Sequence, residues 1–140
     1  MVAVALAVLV TSSLSAGEGG AAYQRAEKQC AVAARRFGPV ALPPGERGLK
    51  KLKHVDPAFP SSSEKHAGMG DWRGVVLVGP DGKVKGLWPF AEPEIKPAWP
   101  EGTSAITDAI RKWEYAPALL NGKPQPVCLT VVVHIHWMTE

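Results

Sequence analysis

His134 and His136 are the residues of this chain whose spacing most directly suggests chemistry. They stand two apart in an apolar, β-branched run, and side chains two apart on a strand point to the same face. Two neutral imidazoles so placed could share a divalent metal. A third ligand would have to come from elsewhere, with His54, His66 or an acidic residue as candidates. The plainer reading is a pair of polar residues on the open face of a half-exposed sheet, so no metal is assigned. No cofactor and no catalytic residue follow either: there is no G-x-S-x-G, no H-E-x-x-H and no P-loop. Asp71 and Asp81 fall where the turn chemistry of a hairpin explains them.

The second pair is Cys30 and Cys128, the only cysteines in the chain. They have no CxxC spacing and no neighbouring metal ligands, which argues against redox catalysis or a zinc site. In an oxidising compartment they allow one disulfide, tying an N-terminal helix to the last strand. The chain-entropy model gives such a bridge about 3–5 kcal/mol. It would also consume the thiol that Cys–His nucleophilic chemistry needs. The alternative is two separate small buried residues.

Compartment is read from the N-terminus. Met1 to Ala16 carries no charge, begins as unbroken Val, Ala and Leu, and ends in small residues before Gly17 and Glu18. An apolar run of about 10–14 residues ending in small side chains fits an export signal, and a spanning helix needs about 20. No Lys or Arg precedes the run, so a short retained membrane anchor and a buried segment of the domain stand as alternatives. The expected location is periplasmic or secreted, or anchored at the inner membrane through residues 1–16.

The elements that must position these residues come next. The chain has 140 residues, 46% hydrophobic and 21% charged, which fits one globular domain rather than a disordered chain. Its net charge of +3 is local. Tyr23 to Val55 holds eight basic residues against Glu27 and Glu46, while the remainder is slightly acidic. Anionic headgroups could meet such a stretch, but a solvated helix and linker is the simpler account. No aromatic residues interleave with the charges, and none of this suits nucleic acid.

Ala21 to Phe37 reads as a helix, with Tyr23, Ala26, Cys30, Ala33, Ala34 and Phe37 on one narrow apolar face. Pro39 to Pro60 reads as a Pro/Gly-rich connector. Ser61 to His66 allows a short helix capped from Ser61–Ser63 and ended by Gly68 and Gly70. Trp72 to Val78, the turn Gly79–Gly82 and Lys83 to Trp88 form an antiparallel hairpin, with Pro89 ending the pairing. Glu92 to Gly102 is expected to be irregular, and Trp88, Phe90 and Trp99 lie on or beside it, as core caps or as a recognition patch. Thr103 or Ser104 should cap a helix whose buried stripe is Ile106, Ala109, Ile110 and Trp113. Asn121–Pro124 is a turn. Val127 to Trp137 is the strongest strand, with Val127, Leu129, Val131, Val133, Ile135 and Trp137 on its covered face.

From Val55 onward these pieces resemble the C-terminal domain of the TonB family of energy transducers. Pro57-Ala58-Phe59-Pro60, Gly70, Pro80-Asp81-Gly82-Lys83-Val84 and Ala105–Trp113 match in order. The specific part is Arg111-Lys112-Trp113-Glu114-Tyr115-Ala116-Pro117-Ala118, followed by Gly122-Lys123-Pro124 and the alternating Val131–Trp137. The resemblance implies an α+β fold: a three-stranded antiparallel sheet with two helices packed on one face, here preceded by an extra N-terminal helix. The domain plan is 1–16 signal or anchor, 17–54 basic helix and connector, and 55–140 TonB-like domain.

The resemblance also implies a mode of action. An extended segment of an outer-membrane or other envelope protein adds to a sheet edge by β-augmentation. The candidate edge is the last strand, with Val131, Val132, Val133, His134, Ile135 and His136 as partner-binding residues. A second copy of the chain is another candidate partner. Two departures matter. Only 38 residues separate Ala16 from Val55, too few for a long-reach transducer, since the non-helical part spans about 75 Å and the helix about 25 Å. Pro89–Pro100 also replaces a compact connection. An exported stand-alone TonB-like binding module is therefore the leading expectation. A structural or accessory envelope protein is the second, and a weak metal binder using His134 and His136 the third.

Overall fold

The computed structural model describes residues 2–10, 20–41, 49–59 and 67–139, with the backbone alone for 2–10 and 136–139. The elements are β1 (Val2–Val10), α1 (Gly20–Ala34) running into a 3-10 turn at Arg35–Phe37, β2 (Lys51–Lys53), β3 (Ala67–Val78), β4 (Val84–Ala91), β5 (Glu94–Lys96), α2 (Pro100–Arg111), β6 (Glu114–Tyr115), β7 (Ala118–Leu120), β8 (Lys123–Gln125) and β9 (Val127–Thr139). The short helix expected at Ser61–His66, and His66 with it, lies outside the described residues.

The main sheet is antiparallel in the order β1-β9-β3-β4, and β5 pairs the first residues of β3 on the β4 side. β2–β6 and β7–β8 form two small ribbons. This corrects the expected three-stranded sheet: the architecture is α+β, but the sheet is wider. The extra N-terminal helix, α1, lies on the sheet face opposite α2, and the helix expected beside α2 at Ser61–His66 falls outside the described residues.

Strand alternation explains that division. On β3 and β9, Trp72, Val76, Val78, Val127, Leu129, Val131, Val133 and Ile135 belong to one buried cluster, together with Ile106 and Ile110 of α2. Val75 and Leu77 belong to the other, with Ala26, Cys30 and Ala34 of α1, and Cys128 packs against it. The face expected to be open is thus covered: Thr130 and Val132 are buried on it. The stripe read from the sequence holds, since Ile106, Ala109, Ile110 and Trp113 are all buried.

The helix starts earlier than its presumed caps. Trp99 is the N-cap and Pro100 the first helical residue, a position where the missing N–H and fixed φ of proline cost nothing. Glu92–Gly102 is correspondingly more ordered than expected, holding β5 and the first turn of α2. Pro89 does not end the hairpin either; β4 continues to Ala91, with Pro89 opposite Gly74. β4 is an edge strand, so a missing donor on its outer side breaks no ladder bond. Gly68 and Gly70, read as a helix stop, lie inside β3. The 39–60 connector contains β2.

Two turns need their glycines. Asn121 (φ 54°) and Gly122 (φ 78°) both take positive φ between β7 and β8, as a type I′ hairpin turn requires. Gly82 (φ 80°) closes the β3–β4 turn, and a Cβ there would collide with the carbonyl oxygen of Tyr115. That close approach lets the Tyr115 N–H donate to the Gly82 carbonyl at 2.8 Å, docking the segment after α2 onto the hairpin.

Candidate functional site

Three regions hold the residues singled out above. The first is the outer edge of β9. Its inner edge pairs with β3 from Val127 to Trp137. Its outer edge is taken by β1, antiparallel, in an uninterrupted register from Val2 opposite Thr139 to Val10 opposite Val131. Val131, Val132, Val133, His134, Ile135 and His136 all lie in that register, so the expected partner-binding strand is bonded on both sides in the full chain. Val2–Val10, within the segment expected as a signal or anchor, supplies the added strand. A signal cleaved after Ser15 or Ala16 would take this strand away, whereas a retained segment keeps it on the β9 edge. Among the described residues no helix is long and apolar enough to cross a membrane.

The second region lies on the α1 face of the same strand. Asp71 and His134 are register partners on β3 and β9. His134 donates through Nδ1 to Asp71 Oδ1 at 2.5 Å, and Arg73 donates to Asp71 Oδ2 at 3.2 Å. Asp71 is therefore a cross-strand partner and not a turn residue. Burial pushes its carboxyl up, but the hydrogen bonds and charges of His134 and Arg73 outweigh this and hold it below the usual carboxylate range. Asp81 does follow turn chemistry: it accepts from the Lys83 N–H at 3.0 Å and from Lys85 Nζ at 2.7 Å. The side chain of His136 lies outside the described residues. Among those described, no three ligand-type side chains gather as a metal would need.

The sequence reading missed the third region. β2 pairs with β6, which carries Lys51 over the indole of Trp113, 3.4 Å from the ring centroid. Lys51 Nζ donates to His54 Nδ1 at 3.3 Å, and His54 Nε2 donates to Asp56 Oδ1 at 2.8 Å. One tautomer of His54, protonated at Nε2, satisfies both bonds. Burial lowers the Lys51 ammonium to about 8, against the opposing pull of the Asp56 carboxylate. Trp113 Nε1 donates to the Val55 carbonyl at 2.8 Å, so the segment after β2 is strapped across the end of α2. The chemistry on hand is a cation–π cap over a core indole. Its only sequence signal was the three-residue spacing of Lys51 and His54, inside a stretch rich in Pro and Gly.

The disulfide forms as expected between Cys30 and Cys128, with a Cα–Cα distance of 6.1 Å. It joins α1 to the face of β9 opposite α2 and fits a chain that meets oxidising conditions. The loop aromatics serve the core: Trp99 is buried and stacks on Phe59, and Phe90 meets Tyr23 edge to face. Trp88 packs beside α1, where Lys28, Val32 and Arg36 also line a groove. Arg25 and Lys28 on α1, and Arg35 and Arg36 in the 3-10 turn after it, are exposed, as a solvated basic face would be.

No family model matches this chain, and no curated protein matches it.

Proposed function

We propose that this protein is an exported binding module that takes up an extended peptide by strand addition at the outer edge of β9. One observation carries the reading: that edge accepts a nine-residue antiparallel strand in unbroken register, Val2–Val10 on Val131–Thr139. An edge of unpaired N–H and C=O groups is a template for another strand. Backbone bonds supply affinity in such a complex, and alternate side chains supply selectivity. The TonB-like order of motifs supports the same mode of action and points to a segment of an outer-membrane or other envelope protein as the partner. The disulfide agrees with a location outside the reducing cytoplasm.

The test separates backbone from side chains. Extended synthetic peptides from envelope-protein segments are titrated into the full chain. Each binder is then repeated with N-methyl groups on alternate amides. Strand addition predicts that methylation of one alternate set abolishes binding while the other set leaves it nearly intact. The reading fails if no extended peptide binds even when proline substitutions in β1 free the edge, or if both methylated sets bind as well as the parent.

A further inference from the structure

We infer that Val2–Val10 is a resident occupant of the β9 edge, and that its residue pattern defines the class of segment the edge takes. This rests on the strand-addition reading and goes beyond it by naming the competitor and the ligand chemistry. The segment Val2-Ala3-Val4-Ala5-Leu6-Ala7-Val8-Leu9-Val10 alternates large aliphatic residues with alanine over its first seven positions. The register uses that alternation. Leu6, Val8 and Val10 stand opposite Ile135, Val133 and Val131, which belong to the buried α2-side cluster. Ala5 and Ala7 stand opposite His136 and His134, and Leu9 opposite Val132.

Directly opposed residues of an antiparallel pair belong to the same face. Leu6, Val8 and Val10 therefore take register positions of the α2-side face, and Leu9 takes one of the α1 side. The alanines of β1 fall on the α1 side, where His134 is already engaged by Asp71. A one-residue slip would exchange the two sets. Val133 and Ile135 are buried, and β1 meets them with uncharged aliphatic residues. The edge thus takes an uncharged extended segment with aliphatic residues at every second position and small residues between. An incoming segment must displace β1, or wait until β1 leaves.

Competition of this kind lowers apparent affinity by the fraction of time the edge is free: nine-tenths occupancy costs about ten-fold. The full chain is compared with an Ala3→Pro/Ala5→Pro/Ala7→Pro variant. The Gly79 N–H donates toward β4, so strand alternation through the registers turns the amides of Ala3, Ala5 and Ala7 toward β9, and proline removes these ladder donors. The probe is a synthetic peptide of sequence 2–10 with terminal lysines for solubility. A second peptide has the aliphatic and alanine positions exchanged. The variant should bind the first peptide about ten-fold more tightly than the wild type, and should prefer it to the exchanged one. In hydrogen exchange, all amides of Val131–Ile135 should be protected in the wild type, and alternate ones should lose protection in the variant.

Alternate β9 amides that exchange freely in the wild type would overturn the inference, as would equal affinity of wild type and variant or equal binding of both peptides. Either of the last two results leaves strand addition standing. A variant with an open edge that binds no extended peptide removes the strand-addition reading and this inference with it.

Discussion

The two faces of the central sheet are each covered by one helix, and they are held in different ways. On the α2 face the buried cluster includes Trp72, Trp113, Tyr115, Ile106, Ile110 and Leu129, all essentially without solvent exposure. Fully burying side chains of this size contributes about 1.5–3 kcal/mol each. On the α1 face the helix offers Ala26, Cys30 and Ala34, whose small side chains remove much less apolar surface from water. The α1 face carries the disulfide; the α2 face rests on packing and on a part-buried hydrogen bond from Trp113. A short chain can thus attach a weakly apolar helix by restricting the unfolded state rather than by deepening the core.

The largest effect is expected where packing acts alone. Trp113→Ala should cost about 3–5 kcal/mol as a large-to-small core substitution, and it leaves the Val55 carbonyl without its indole donor. Urea unfolding measures this directly. A loss below about 1 kcal/mol would mean that the α2 face does not depend on Trp113, one of its two fully buried indoles.

Removing the bridge tests the other face. The pair Cys30→Ala and Cys128→Ala releases a constraint across 98 residues of sequence and should cost about 2–4 kcal/mol. Its location is the sharper readout. Hydrogen exchange should show α1 amides losing protection well before those of α2. Simultaneous loss would mean that the sheet and both helices open as one unit, and the contrast between the faces would disappear.

The same contrast explains what could be read from the sequence. Periodicity identified the stripe of α2 and the alternation of β9, because large apolar residues repeat there at a fixed interval. The covering of the second sheet face was missed because Ala26, Cys30 and Ala34 are a faint stripe, and because His134 and His136 made that face look solvated. Val132 and Thr130 were the residues that could have corrected it. The N-terminal strand was missed for a different reason. An uncharged run of Val, Ala and Leu satisfies an export signal and a sheet strand equally, and only its alternation of large and small residues distinguishes them. The Lys51–His54–Trp113 cap joins residues about sixty positions apart through a three-residue strand, and short ribbons leave no periodic trace. The binding edge itself was legible as a strand, but not as one already occupied.

The smallest expected effect concerns the charge that closes the α2 face. Lys51 lies over Trp113 with its ammonium lowered to about 8 by burial, with the Asp56 carboxylate opposing the shift. In the unfolded chain a lysine titrates near 10.4. Between about pH 8 and pH 10 the unfolded chain therefore holds more of this proton than the folded chain, so stability should rise with pH across that window. Below about pH 8 both states are protonated and the full cost of burying the charge is present. Above about pH 10 the buried Tyr115 hydroxyl, held well above its ordinary range by burial, acts in the opposite direction, because folding then hinders its ionisation. Lys51→Met keeps the apolar stem over the indole and removes the charge, so the rise between pH 8 and pH 10 should disappear. Lys28→Met, at an exposed position on α1, should leave the rise intact. Urea midpoints at several pH values compare the three proteins. If wild type and Lys51→Met keep the same pH slope, cation–π attraction to Trp113 holds the ammonium charged, and the α2 face is closed by a favourable charge rather than a costly one.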